Sequence, residues 1–106
     1  MIVVTTHVVA GKRIVATLGL VRGNTIRTRH LGKDILAVFR NLVGGEIGEY
    51  TKLLAEAREQ ALDRMVEEAE GLGADAVVGV RFQTTEVMKA AAELLVYGTA
   101  VRLEDE

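Results

Sequence analysis

The stretch IGEYTKLLAEAREQALDRMVEEAEGL, residues 47–72, decides the fold. At about 100° per residue, Ile47, Tyr50, Leu54, Ala57, Ala61, Leu62, Met65, Ala69 and Leu72 fall on one face of a helix. Lys52, Glu56, Glu59, Asp63, Glu67 and Glu70 fall on the opposite face. The spacing therefore predicts one long amphipathic helix with a single apolar side to bury. Arg58 interrupts that side, one turn from Leu54 and one turn from Leu62. A guanidinium keeps its charge, so at a buried position it needs a carboxylate, a carbonyl or a bound anion.

Outward from the helix, both flanks read as strands. Toward the N-terminus, Ile2 to Thr5 opens the chain as a short strand, and Gly11 punctuates a loop that holds His7. From Arg13 to Arg22, Ile14, Ala16, Leu18 and Leu20 alternate with Arg13, Val15, Thr17 and Gly19, which is strand periodicity. Gly23-Asn24 can close a hairpin into residues 25–29, or Gly19 and Gly23 can bend one long strand. The bent strand is the preferred reading. Asp34 is placed to N-cap a short apolar helix, Ile35 to Val43, which Gly44-Gly45 ends. Beyond the long helix, Gly71 and Gly73 supply a left-handed stop. Ala76, Val78, Val80 and Phe82 alternate with Val77, Gly79, Arg81 and Gln83. A turn at residues 89–92 then leads to a last strand, Leu94 to Leu103, expected to pair with its predecessor as an antiparallel hairpin.

Both faces of that last strand are largely apolar. Leu95, Tyr97, Thr99, Val101 and Leu103 alternate with Leu94, Val96, Gly98 and Ala100. One helix covers only one face of a small sheet, so the other needs a different cover. The short helix is one candidate and a second subunit is the more economical one, which points to a homo-oligomer.

Composition narrows the function classes. The chain has 106 residues and forms one domain, 1–106, that is 49% hydrophobic and 4% aromatic, with mean hydropathy +0.22. No stretch approaches the ~20 apolar residues of a membrane span, and the N-terminus reads as a strand and not as a signal peptide. A cytoplasmic protein without membrane contact is expected. Residues 1–45 carry seven basic residues against one acidic, and residues 46–106 carry six against fourteen. Folding is expected to mix these charges on one surface; a basic edge docking on a neighbour's acidic helix is the sharper alternative. The net charge of −2 and the lack of aromatics among the basic residues argue against nucleic acid.

Tyr50, Thr51 and Arg58 form the candidate ligand site. Positions 50 and 51 lie two turns before 58 on the same side of the helix, offering two hydroxyls and a guanidinium to one anion. Gly44, Gly45 and Gly48 leave amides exposed near the helix N-terminus, which favours anions. The competing reading is a structural network in which Arg58 pairs internally and Tyr50 caps the core. Metal chemistry has little to draw on. There is no cysteine, and His7 and His30 are the only histidines; soft metals prefer thiolates. A ring could gather one His7 or His30 from each protomer, and Glu46, Glu49 or Glu93 could hold a hard cation. No metal residue, cofactor or catalytic residue is assigned, since no Ser-His-Asp set, activated lysine or paired carboxylates stand out.

The run from Gly44 to Arg58, followed by Gly73-Ala74-Asp75-Ala76-Val77-Val78-Gly79-Val80, closely resembles the YbjQ-like family. The likeness extends through Thr5-Thr6, the glycine-bearing strand after Arg13, Gly32–Asp34 and Gly98-Thr99-Ala100-Val101. The family carries a heavy-metal-binding label without an established activity. The resemblance implies an α+β fold with a helix on an antiparallel sheet, a β-α-β-β core similar to the dodecin subunit. It also implies a pentameric ring in which strands of different protomers meet. The expectation is then a non-enzymatic ring-forming domain that binds a small anion or metal ion near its subunit contacts. An enzyme whose site is completed between protomers, or a purely structural assembly module, is the alternative.

Overall fold

The computed structural model describes residues 1–27, 47–88 and 91–106, with side chains for 1–26, 54–85 and 93–106. Its elements are β1 (Ile2–Val3), β2 (Lys12–Arg27), α1 (Ile47–Gly71), β3 (Ala76–Met88) and β4 (Ala91–Asp105). The expected short helix Ile35–Val43, its cap Asp34, His30 and the residues Lys89 and Ala90 of the expected turn lie outside the described residues.

The four strands form one sheet in the order β1-β3-β4-β2. β4 lies between β3 and β2 and is antiparallel to both. The expected hairpin of the last two strands is therefore present, and each strand is longer than its alternating core. The sheet is mixed, not purely antiparallel: β1 runs parallel to β3, with Ile2 opposite Ala76 and Val3 opposite Val77. Parallel pairing follows because the long helix separates β1 and β2 from β3 and returns the chain in the same direction.

β2 is one continuous strand, as the bent-strand reading expects. The irregularities fall between Ile14 and Ala16 and between Thr17 and Gly19, and Gly19 takes a φ of 124°. Gly23 has a different task. An added Cβ there would lie 2.0 Å from the Ala61 carbonyl oxygen and 2.6 Å from the Met65 amide. The helix thus rests directly on the strand backbone. Thr25 reinforces this contact by donating to the Ala57 carbonyl at 3.4 Å, and the Arg64 guanidinium donates to the Asn24 carbonyl.

Close approach decides which helical row is buried. Ala57, Ala61, Met65 and Ala69 are buried, in a core with Val21, Val77, Val80, Val96 and Ala100. Leu62 is only partly buried, while Leu54 and Leu72 are exposed. α1 ends as its glycines predict, though Gly73 alone carries the left-handed turn, at φ 76°. Gly73 donates to the Glu70 carbonyl at 3.0 Å and Ala74 to the Ala69 carbonyl at 3.1 Å, the paired bonds of a Schellman stop. Ala74 packs against the core that contains Ala69.

The other face of the sheet is covered in part by the chain itself. Ala76, Val78 and Val101 are buried beneath Val4 and Val9, with Ile14 and Leu103 alongside. The N-terminal segment is pinned there by backbone bonds from Val4 to Val77, from Gly79 to Thr6 and from Val80 to Val4. This corrects the expectation that only another element or a second subunit could cover that face. The segment reaches only one end of the sheet; toward the other end Leu20 and Ile26 remain exposed.

Glu104 and Asp105 belong to β4. Asp105 pairs with Lys12, and Glu104 with Arg13 at 2.9 Å, which joins the basic first half to the acidic second half. The bond from Lys12 holds the exposed Asp105 carboxyl below the usual carboxylate range. Such surface pairs contribute little each.

Candidate functional site

α1 carries Tyr50, Thr51 and Arg58 on one uninterrupted helix. Thr51 stands seven residues before Arg58, about 10 Å along the axis and about 20° around it. The side chains of Tyr50 and Thr51 lie outside those described. Arg58 is exposed, which corrects its expected place within a buried stripe. The buried row of alanines and Met65 follows an i, i+4 path, and Arg58 sits one step around the helix from Ala57, on its flank. In the single chain Arg58 meets water and requires no internal partner. It stands with the exposed Leu54 and the half-buried Leu62, one turn away on either side.

The register of the sheet creates a second group of polar residues, on the face turned away from α1. Arg22 of β2 and Arg81 of β3 both lie opposite Tyr97 of β4. Directly opposed residues project to the same side, and the neighbours of Tyr97 in the chain, Val96 and Gly98, are buried against the helix side. Adjacent rows on this face are Val78, Thr99 and Leu20 on one side and Gln83, Leu95 and Asn24 on the other. Arg81 is held at one nitrogen: its Nη1 donates to the carbonyls of Thr5 at 2.9 Å and Val80 at 2.8 Å. Arg22 is exposed.

His7 lies in the N-terminal loop against Gly79, its Nδ1 3.3 Å from where a Cβ of residue 79 would stand. Gly79 has φ 62°, at the irregularity between Val78 and Arg81 where β3 slips against β4. Glu93 accepts from the Asn24 amide at 3.1 Å. Among the described residues no group of three or more His, Asp or Glu converges as a metal site, and no helix is long and apolar enough to cross a membrane.

Sequence reasoning missed the Arg22–Tyr97–Arg81 row. Each residue alone is an ordinary polar position on a strand. Only the pairing register, shifted by the irregularity before Arg81, aligns them.

The chain is similar throughout to known proteins. A family model described as "Putative heavy-metal-binding" matches residues 1–104. A UPF0145 protein of Methanosarcina acetivorans is 60% identical over 103 residues, 97% of each chain. One from Pseudothermotoga lettingae is 56% identical over 104 residues, 98% of each chain. One from Thermus thermophilus is 60% identical, covering 98% of this chain and 91% of its own. Among solved structures, a protein of unknown function in the DUF74 family from Pediococcus pentosaceus superposes with a TM-score of 0.64 at 18% identity, over 98% of both chains; it supports the α+β fold. Matched along nearly its whole length by that model and by these relatives, the chain belongs to the YbjQ-like, UPF0145 family.

Proposed function

We propose that the protein is a cytoplasmic, non-enzymatic homo-oligomer, a pentameric ring, that takes a small anion or metal ion at or near its subunit contacts. The observation that carries this reading is exposed apolar surface on the described sheet. Leu20 is 64% and Ile26 48% exposed, toward the end of the far face that the N-terminal segment does not reach, and such a surface is suited to burial against another copy.

The sheet edges support the same reading. Among the described residues, β2 has a neighbour on one side only, along its 16 residues. Among the described residues, the outer edge of β3 is matched by β1 at Ala76 and Val77 alone. Long open edges template further strands, and an edge of one protomer meeting an edge of the next generates a ring when the rotation closes. Phe82, on the outer stretch of β3, and Leu54, on α1, add exposed apolar surface.

Within that assembly Arg58, Tyr50 and Thr51 are the proposed ligand-binding residues. An exposed guanidinium flanked by apolar side chains is desolvated once a neighbour docks beside it, and an anionic group then satisfies it. Light scattering on the purified protein tests the assembly. The expected mass is several times 11.5 kDa; a monomer at micromolar concentration overturns the reading.

A further inference from the structure

We propose that the sheet face away from α1 carries an oxyanion site formed by Arg22, Tyr97 and Arg81, which binds a phosphate- or pyrophosphate-class ligand. The site is separate from Arg58 and is complete within one chain.

The sheet register supplies the geometry. Arg22, Tyr97 and Arg81 are mutually opposed on β2, β4 and β3. With neighbouring strands about 4.8 Å apart, the two arginine backbones are about 10 Å from each other. Arginine side chains at that separation can converge on one anion, with the Tyr97 hydroxyl between them as a third donor. Both guanidinium groups are planar forks suited to phosphate oxygens.

Nothing within the row balances its charge. Five successive rows of this face, from Ala76, Val101 and Thr17 to Thr85, Glu93 and Ile26, contain a single carboxylate. That carboxylate, Glu93, stands two rows from Tyr97 and accepts from Asn24. The chain's ion pairs among the described residues lie at the far end of the sheet, at Lys12–Asp105 and Arg13–Glu104. Arg22 makes no hydrogen bond or ion pair among the described residues.

Arg81 is also preorganised. Its Nη1 is fixed by two backbone carbonyls, so the side chain is already ordered while Nη2 and Nε keep their donors for a ligand. A fixed donor set loses less conformational entropy on binding than a mobile one.

Calorimetric titration of the purified protein with sodium pyrophosphate tests the proposal, with assembly mass and melting temperature read on the same samples. Wild type is expected to bind saturably at one site per chain, more weakly as sodium chloride rises. Arg22→Gln is expected to weaken binding about tenfold or more. Tyr97→Phe is expected to weaken it less. Arg81→Gln also releases the N-terminal segment, so Arg22→Gln at an unchanged melting temperature is the deciding variant. Absence of saturable binding by wild type up to about 10 mM overturns the proposal. Equal affinity in Arg22→Gln, or loss in Arg58→Met alone, also overturns it. If Arg22→Gln changes the assembly mass and not pyrophosphate affinity, the row is a protein contact and the proposal fails. The mass of the wild type judges the ring independently of all these outcomes.

Discussion

Gly23 lies directly beneath Ala61: a Cβ added to the glycine would stand 2.0 Å from the alanine's carbonyl oxygen. Both obstacles nearest that position, the Ala61 carbonyl and the Met65 amide, are backbone atoms, and a helix backbone does not move aside as a side-chain tip does. Gly23→Ala is therefore expected to lower stability by roughly 3 kcal/mol or more. Gly71→Ala is the control, since a Cβ at the end of α1 meets nothing within 4 Å. It is expected to raise stability by up to about 1 kcal/mol. Urea unfolding of the two variants checks both signs. Equal, small effects would mean that α1 does not sit on β2 as described.

Charges placed on the two apolar systems are expected to act differently. Val96 and Val101 are buried within the chain's own two cores, so Val96→Asp and Val101→Asp are expected to destabilise the chain by about 4 kcal/mol or more. Phe82 is nearly half exposed. Phe82→Asp is expected to leave the folded chain intact and reduce the assembly mass. Circular dichroism and light scattering on the three variants separate folding from assembly.

Arg58→Met is expected to change the stability of the chain by no more than about 0.5 kcal/mol, because the side chain is exposed and loses no internal partner. Its effect belongs to the ligand. Wild type is expected to melt higher in the presence of succinate, and Arg58→Met to lose that rise. Identical responses in the two proteins would remove Arg58 from the binding reading.

Zinc, copper and nickel are expected to bind weakly and with little selectivity, because the chain has two histidines and no cysteine to offer borderline and soft metals. Calorimetric titration measures this. A sub-micromolar site of defined stoichiometry, abolished in a His7→Ala, His30→Ala double variant, would show that the ring gathers histidines from several protomers.

The elements were legible in the sequence because periodicity records them. A 3.6-residue rhythm marked α1, alternation marked β2, β3 and β4, and Gly73 marked the helix stop. The direction of β1 was not legible, since two residues contain no pairing information. The apolar face of α1 included the buried row Ala57, Ala61, Met65 and Ala69 but was drawn too wide, for a physical reason. A helical wheel weights leucine above alanine, yet the helix backbone approaches β2 so closely at Gly23 that alanine suits the contact better than leucine. Ala57, Ala61 and Ala69 consequently go inside, while Leu54, Leu62 and Arg58 are left on the flank. The cover on the far face was missed because Val4 and Val9 sit in a segment without periodicity, whose destination depends on backbone bonds to residues 77–80. The sheet-face arginines depended on a slip in register that no composition rule predicts.

β4 lies between β3 and β2 in the sheet, yet it follows every other described strand in chain order. During synthesis β2 therefore emerges, and α1 after it, well before the strand that joins β2 to β3 exists. Lys12 and Asp105 face each other across 93 residues of chain, so their pairing must await the last part of the polypeptide. Until then a 16-residue strand with exposed Val15, Leu20 and Ile26 lacks its partner β4. Nascent chains held near a ribosome would expose that strand to like strands on neighbouring chains, the circumstance in which aggregation competes with folding. The arginines at 13, 22 and 27, set among those apolar residues, act as charged interruptions that disfavour such pairing. Their first service to the protein thus comes before it has folded.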